Sequence, residues 1–504
     1  MNKIKVRFAP SPTGYLHLGG LRTAFINYLF AKANGGEIIL RIEDTDQTRK
    51  VDNAVEDFLK VFNQLGIKFD GEHYYQSERL EIYKKYAQQL IQENKAYYAF
   101  DTPEELEEMR NEQKRLKIAF RYNGASRNYT LAEAEEKIKS GLPYVIRMRV
   151  PENQDIIFDD LIRGNIKINT NDIDEQILIK SDGFPTYHFA NVVDDHLMGI
   201  THVIRAEEWI TSVPKHILLY KAFGWDIPIF AHLPWILDDK GKKLSKRFQN
   251  VDVQYYLDQG YLPEAILNYI ALLGWNPGKG ETKEIFSVQE IISLFDVSQI
   301  NKSGSKFDIA KLDWMNRKYI MNLSNDDLIK LLIPKYVNPE YKDNLIKTIG
   351  FLVGYLNKLS DIKNPDYKVY YEKFNLVDYL SKEENLSIVF TPVYYKVLDS
   401  FLKNYGDDNN IDTTMKLIQN ELNIKGKELY QPVRIALTGS IHGLKLIEIE
   451  ELLGRNEIID RIKKGAGKAN YDENYLKELQ DNFSKKNLDS ELIEKILNFW
   501  RGRD

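Results

Sequence analysis

The stretch Val6-Arg7-Phe8-Ala9-Pro10-Ser11-Pro12-Thr13-Gly14-Tyr15-Leu16-His17-Leu18-Gly19-Gly20 constrains this chain more than any other. Val6 to Ala9 reads as a buried strand. Pro10 and Pro12 fix their own φ and push the residues before them out of the helical region, so the chain leaves that strand extended. From Leu18 a helix is expected, with Leu21, Ala24, Phe25, Tyr28 and Leu29 at the spacing of one buried face. Strand, tight turn and helix start is an arrangement that binds phosphate. Gly14, Gly19 and Gly20 let backbone approach an anion, and the first amides of the helix have no partner within it. His17 stands in that turn, where an imidazole can stabilise charge growing on a phosphoryl oxygen.

The βα alternation continues. Gly35-Gly36 ends the first helix, Ile38-Ile39-Leu40-Arg41-Ile42 is a continuous apolar strand of the parallel-sheet kind, and helices are expected near 54–65 and 80–91. This is the start of a doubly wound nucleotide-binding fold. Glu43-Asp44-Thr45-Asp46 falls at the carboxyl end of the second strand, where such sheets bind ligands. The same residues could cap the next helix. Glu43 is expected to reach into the site, with Asp44, Thr45 and Asp46 shaping the loop.

Far downstream, Lys242-Lys243-Leu244-Ser245-Lys246-Arg247 follows an Asp238-Asp239-Lys240-Gly241 loop and the apolar run from Phe230 to Leu237. A lysine cluster alone reads as a solvated face. Taken with the first stretch, it resembles the HIGH and KMSKS signature pair of class I aminoacyl-tRNA synthetases, written here His17-Leu18-Gly19-Gly20 and Lys243-Leu244-Ser245-Lys246-Arg247. Arg7 to Gly14, Arg41 to Asp46, Tyr187 to Asp195 and Val203-Ile204-Arg205-Ala206-Glu207-Glu208-Trp209 narrow the resemblance to bacterial-type glutamyl-tRNA synthetases, over nearly the whole chain.

That resemblance implies a multidomain protein: an α/β Rossmann-type catalytic domain in two halves (1–95 and 181–240), an inserted α+β acceptor-binding domain (96–180), a helical stem-contact domain with the lysine loop (241–323), and an all-helical anticodon-binding region (324–504). It implies ATP-dependent attachment of L-glutamate to tRNA through glutamyl-adenylate, with magnesium accompanying ATP. His17, Lys243 and Lys246 would act on the phosphates. Gly19, Gly20, Glu208, Trp209 and Ser245 would join them around ATP. Arg7, Ala9, Ser11, Glu43, Tyr187, Asn191 and Arg205 would hold glutamate, Glu43 suiting the ammonium and the arginines the carboxylates. Glutaminyl-tRNA synthetase shares the catalytic fold but carries β-barrel anticodon domains, and a non-catalytic tRNA-binding paralogue would not need both motifs. Whether tRNA for glutamate alone or also that for glutamine is charged stays open.

A net charge of −5 over 504 residues requires that a tRNA partner meet local basic faces. With no cysteine there are no thiolate metal sites. Some members of the resembled family carry zinc in the inserted domain. Here Tyr97-Tyr98-Ala99-Phe100-Asp101-Thr102 and Tyr122-Asn123-Gly124-Ala125-Ser126-Arg127 lack thiolates, so no structural zinc is expected. No signal peptide and no apolar run of about 18 residues is present, so a cytoplasmic protein is expected, and a monomer on the family's pattern.

Local signals fill in the rest. Thr102-Pro103-Glu104-Glu105 opens a charged, solvated helix to about 117. Short strands are expected at 144–150, 156–158 and 166–168. Asp194, Asp195 and His196 could bind a metal, though loop structure is preferred. A helix capped by Ser212, Val213 and Pro214 runs to Gly224, another spans 263–273, and Ser287 to Glu290 is a capping box. Beyond 324, helical periodicity recurs in Leu328, Leu331 and Leu332, and in Leu444, Ile447, Ile449, Leu452 and Leu453. Tyr367, Tyr370 and Tyr371 interleave with Lys363, Lys368 and Lys373, which suits stacked bases or packed core tyrosines. Gln431 to Gly439 resembles the family's anticodon-binding part.

Overall fold

The computed structural model describes residues 3–46, 51–118, 121–245, 251–278, 280–372, 383–389, 391–466, 491, 494 and 498. The chain divides into two compact units, Met1–Met315 and Asn316–Asp504.

In the first unit, β1 (Lys5–Phe8), α1 (Leu18–Ala33), β2 (Glu37–Ile42), α2 (Ala54–Gln64), β3 (Tyr74–Tyr75) and α3 (Leu80–Gln92) alternate. β2 lies parallel between β1 and β3. Next come β4 (Ala96–Ala99), α4 (Pro103–Arg115), α5 (Leu131–Lys139), β5 (Val145–Met148), β6 (Asp155–Asp160), β7 (Gly164–Asn169) and β8 (Ile177–Ile179). The sheet β4-β5-β8 is antiparallel. Capping boxes open α4 at Thr102 and Glu105 and α5 at Thr130 and Glu133, and α4 buries no side chain. Its charge alternation is therefore a solvated face.

The parallel pattern returns with α6 (Tyr187–Leu197), β9 (His202–Ala206), α7 (Val213–Phe223) and β10 (Ile229–Leu233), with β10 parallel to β9. Thr201 joins this half to the first: its N–H donates to the Lys5 carbonyl and its Oγ1 accepts from the Lys5 N–H, both at 2.9 Å. The strands thus run β3-β2-β1-β9-β10, and the order reverses between β1 and β9, where open parallel sheets bind ligands at their carboxyl ends.

Four features differ from what the pattern suggested. The hairpin of β6 and β7, expected to belong with the inserted segment, adds to the edge of the catalytic sheet: β6 lies parallel to β10 at Asp160 and Phe230, and the Leu161 N–H donates to the Phe230 carbonyl at 2.9 Å. Second, α1 buries more than one face. Leu18, Leu21, Arg22, Ala24, Phe25, Ile26, Asn27, Leu29, Phe30 and Ala31 are all buried, because α9 (Pro263–Leu272) and α10 (Val288–Leu294) cover the side turned away from the sheet. Third, Asp194 and Asp195 lie in α6 and not in a loop. Phe189, Val192 and Val193 anchor that helix in the core, and arginines compensate the two buried carboxylates. Fourth, Leu331, expected on a buried face, is 42% exposed.

After β10, β11 (Ile236–Leu237) pairs with β12 (Ser305–Lys306), and α8 (Val253–Gln259) leads to α9, α10 and α11 (Ile309–Met321). Ser287 and Glu290 form the expected capping box on α10.

The second unit is helical among its described residues, with helices at Asn325–Leu332, Lys342–Leu352, Pro392–Asn404, Ile411–Leu422, Lys427–Thr438 and Leu446–Gly465. Leu345, Ile349, Val397, Phe401, Ile418, Val433 and Ile462 are buried completely. Tyr371 donates to the Ile362 carbonyl and the Tyr370 hydroxyl accepts from the Leu444 N–H. Both are core tyrosines. Lys373 lies outside the described residues. Among those residues, no helix is long and apolar enough to cross a membrane.

Candidate active site

A cavity of about 770 Å³ opens at the carboxyl ends of β1 and β9. Its wall includes Arg7, Ala9, Ser11, His17, Gly19, Gly20, Glu43, Tyr187, Arg205, Glu208, Trp209, Lys243 and Ser245. Residues more than 230 positions apart therefore share one concavity.

The two signature stretches meet through backbone. Leu18 donates to the Val251 carbonyl at 2.8 Å and Val253 donates to the Leu16 carbonyl at 3.0 Å, bracketing an antiparallel bridge between His17 and Asp252. On the other side of the lysine loop, Asp238 donates to Lys242 and Leu244 to Ile236. Both ends of the loop are thus pinned, one of them directly to the turn that carries His17. Lys246 and Arg247 lie outside the described residues.

His17 is the N-cap of α1, its Nδ1 accepting from the Gly20 N–H at 3.0 Å. The cap fixes the ring and occupies the Gly20 amide, so the amide expected to face phosphate is already engaged. An alanine Cβ at Gly19 would stand 3.1 Å from His17 Nδ1, so the ring would have to give by a few tenths of an ångström to admit it. Lys243 pairs with Glu208 at the exposed rim and lies 5.6 Å from the Trp235 ring centroid.

Deeper in, charge is dense. Asp195 Oδ1 accepts from Arg7 Nε at 3.1 Å and Arg41 Nη1 at 2.7 Å. Arg41 Nη2 and Asn191 Nδ2 both donate to Glu43 Oε1 at 3.2 Å. Asn191 is buried behind Glu43 and does not reach the cavity wall. Burial pushes the Glu43 carboxyl up from its ordinary value, opposed by Arg41 and Arg7. At Asp195 burial pushes the same way, but Arg7 and Arg41 prevail and hold it below the usual carboxylate range. Asp194 accepts from Gln76, Arg79 and Tyr83. These carboxylates are spent on arginines and neutral donors, and among the described residues no cluster of three or more metal-ligating side chains forms. Asp44 accepts from the Ser77 N–H and hydroxyl, so it shapes the loop.

Arg205 donates from Nε to His232 Nε2 at 3.1 Å, from Nη1 to the Tyr187 hydroxyl at 3.1 Å and from Nη2 to the Trp209 carbonyl at 3.3 Å. Trp209, expected beside adenosine, packs on Tyr187 with ring centroids 4.4 Å apart. Burial, with Arg205 and His188 nearby, holds the His216 imidazole well below its ordinary value. Arg22, also on the cavity wall, donates to the Pro234 carbonyl at 2.6 Å, and burial brings its pKa down to about 10.

In the inserted segment, the Tyr122 hydroxyl donates to Asp101 Oδ2 at 2.5 Å and Ser126 Oγ donates to the same oxygen at 3.2 Å. These groups satisfy one another and offer no thiolate, a donor set unsuited to zinc.

Comparison with known proteins agrees with this geometry. The catalytic-domain model for class I tRNA synthetases (E and Q) matches residues 3–314, and an anticodon binding domain model matches 327–466. A glutamate–tRNA ligase of Finegoldia magna is 42% identical over 496 residues, covering 92% of this chain and 99% of that protein. The chain belongs to the glutamate–tRNA ligase family of class I synthetases. The relative from Clostridioides difficile is 43% identical over 485 residues, 91% of this chain and 98% of its own. Among solved structures, a glutamate tRNA ligase from Elizabethkingia meningosepticum in complex with its amino acid superposes with a TM-score of 0.78 at 37% identity, covering 92% of this chain and 99% of that one.

Several residues of this synthetase site carried only a faint sequence signal. Arg41 sits inside the apolar run Ile38 to Ile42 of β2, which itself marks a buried charge in need of partners. His216 lies in the apolar helix α7, and His232 in the apolar strand β10. Asp160, Arg22, Tyr15 and Trp235 gave no signal beyond their neighbours.

Proposed function

We propose that this synthetase activates L-glutamate with ATP and transfers it to tRNA, using the cavity between β1 and β9 for both steps. The observation that carries this reading is the convergence of His17, Lys243, Glu43, Arg7 and Arg205 on one cavity.

Glu43 takes the substrate ammonium, and Arg7 and Arg205 its two carboxylates; Ala9, Ser11 and Tyr187 complete that end and Asn191 steadies Glu43. ATP lies toward the turn, with His17, Gly19, Lys243 and Ser245 on its phosphates and Glu208 nearby. An oxygen of the glutamate α-carboxylate attacks the α-phosphorus. The bond from that phosphorus to the bridging oxygen of the β-phosphate breaks, and pyrophosphate departs with the electron pair. A ribose hydroxyl of the terminal tRNA adenosine then attacks the acyl carbon and AMP leaves. Such chemistry needs positioning and charge stabilisation and no nucleophilic side chain. Lys246, assigned from its motif alone, stabilises the leaving pyrophosphate. Arg7, Arg22, Arg205 and Lys243 are the cations of the cavity wall, and magnesium accompanying ATP would supply further charge neutralisation at the phosphates. The inserted segment 96–180 outside its β6–β7 hairpin, with 241–323 and 324–504, meets the acceptor end, stem and anticodon of the tRNA, and the protein acts as a cytoplasmic monomer.

Aminoacylation of purified tRNAs for glutamate and for glutamine, each with labelled glutamate and labelled glutamine, tests this. Glutamate on the first tRNA alone defines a discriminating enzyme, and glutamate on both a non-discriminating one. Glutamine transfer, or tRNA binding without transfer, overturns the reading.

A further inference from the structure

A chain of three buried side chains leads from the catalytic-sheet edge to the cavity. Asp160, the last residue of β6, is 3% exposed, His232 on β10 is fully buried and Arg205 on β9 is 5% exposed. Asp160 Oδ2 lies 2.6 Å from His232 Nδ1, and Oδ1 accepts from the N–H groups of Ile162 at 3.0 Å and Arg163 at 2.9 Å, with that of His232 at 3.3 Å. Because both carboxylate oxygens are acceptors, His232 Nδ1 carries the proton. Its Nε2 is then left as a lone pair, and Arg205 Nε, which can only donate, points at it from 3.1 Å.

We propose that Asp160 and His232 are positioning residues for the amino-acid substrate: the Asp160 carboxylate fixes the His232 tautomer, and the bare Nε2 of His232 aims the Arg205 guanidinium into the cavity. The inference rests on the reading of Arg205 as a glutamate ligand. A planar guanidinium recognises a carboxylate through the direction of its N–H bonds, so its rotation matters as much as its presence. Nε is anchored by His232, Nη2 by the Trp209 carbonyl, and one Nη1 hydrogen by Tyr187. Nη1 carries a second hydrogen, and because Arg205 lines the cavity that hydrogen is assigned to the substrate carboxylate. Asp160 belongs to the β6–β7 hairpin, whose edge pairing with β10 now has a use. It brings a carboxylate against His232, 72 residues later in sequence.

The two amide replacements of His232 separate positioning from packing. In His232→Gln the side-chain oxygen reaches the place of Nε2 and can accept from Arg205. In His232→Asn the amide reaches only the place of Nδ1, so it meets Asp160 and leaves Arg205 without its acceptor. In steady-state aminoacylation by the full-length enzyme, His232→Asn is expected to raise the glutamate KM about tenfold to a hundredfold, with the ATP KM moving less than about twofold. His232→Gln is expected to stay within about threefold of wild type. Asp160→Asn should behave as His232→Asn does, since an amide facing Nδ1 forces either a tautomer flip or an unpaired backbone N–H. It also serves as the test should His232→Asn not fold. Equal glutamate KM values for the Gln and Asn variants, or Asn variants that match wild type, would overturn the proposal. Arg205→Ala, run alongside, distinguishes the failures. An unmoved glutamate KM there removes Arg205 from the substrate site, whereas a raised one with silent His232 and Asp160 variants sinks only the positioning role.

Discussion

The Nε of Arg7 meets Oδ1 of Asp195 at 3.1 Å, although 188 residues separate them, and Arg41 Nη1 shares that oxygen at 2.7 Å. Arg7 and Arg41 are 3% and 0% exposed, so their charges depend on this carboxylate and on Glu43. Asp195→Ala should leave buried Arg7 without its carboxylate and Arg41 with Glu43 and Asp194 only, lowering unfolding stability by about 3–5 kcal/mol. Urea unfolding followed by circular dichroism measures it, and a loss below about 1 kcal/mol would contradict the account.

In the proposed mechanism His17 has two tasks that substitutions can separate, capping α1 and contacting phosphate. Asparagine keeps an N-cap acceptor for the Gly20 amide but cannot reach phosphate as imidazole does. His17→Asn should retain wild-type stability yet lose about a hundredfold in adenylate formation, whereas His17→Ala should lose that rate and also about 1 kcal/mol of stability. Single-turnover formation of adenylate and thermal unfolding together check the separation.

In the proposed mechanism Glu43 ties amino-acid binding to pH. Burial raises its carboxyl above the ordinary value of 4.5, so on acidification it becomes neutral before an exposed glutamate would. A neutral Glu43 offers the substrate ammonium no charge. The glutamate KM of the wild type should therefore rise as pH falls toward that raised value. Glu43→Gln should show a high KM that does not change over the same range, and parallel profiles for the two enzymes would remove Glu43 from this role.

The half-buried His188 sets an acid limit on stability. Burial, then the cations Lys215 and Arg205, lowers the pKa of His188 from 6.5 to about 4. Between those values the unfolded chain binds a proton that the folded chain does not. Stability from this residue is complete above pH 6.5 and is lost as pH falls toward 4, by about 3 kcal/mol in all. His188→Asn keeps an acceptor for His216, which lies 3.0 Å from His188 Nδ1. The variant should lose less thermal stability than wild type between pH 7.5 and 5, and equal losses would contradict the assignment.

Much of this protein was legible because its signals are local. Prolines and glycines around His17 dictate strand, turn and helix start, and Thr102, Thr130 and Ser287 begin helices through capping contacts made within four residues. The apolar run of β2 announces a strand buried on both sides. That His17, Glu43, Arg205 and Lys243 share one cavity was likewise anticipated from residue type and motif. What sequence could not show were relationships across long separations. Nothing near Asp194 and Asp195 reveals that Arg7, Arg41 and Arg79 neutralise them, so the pair looked like a loop or a metal site when it is helical and buried. Nothing near Asp160 says that its strand leaves the surrounding segment to pair with β10 and grip His232. Local order follows from steric and hydrogen-bond rules acting over a few residues. Burial of charge and the tautomer of an imidazole depend on which distant groups the packed sheet brings within 3 Å, and only the tertiary structure decides that.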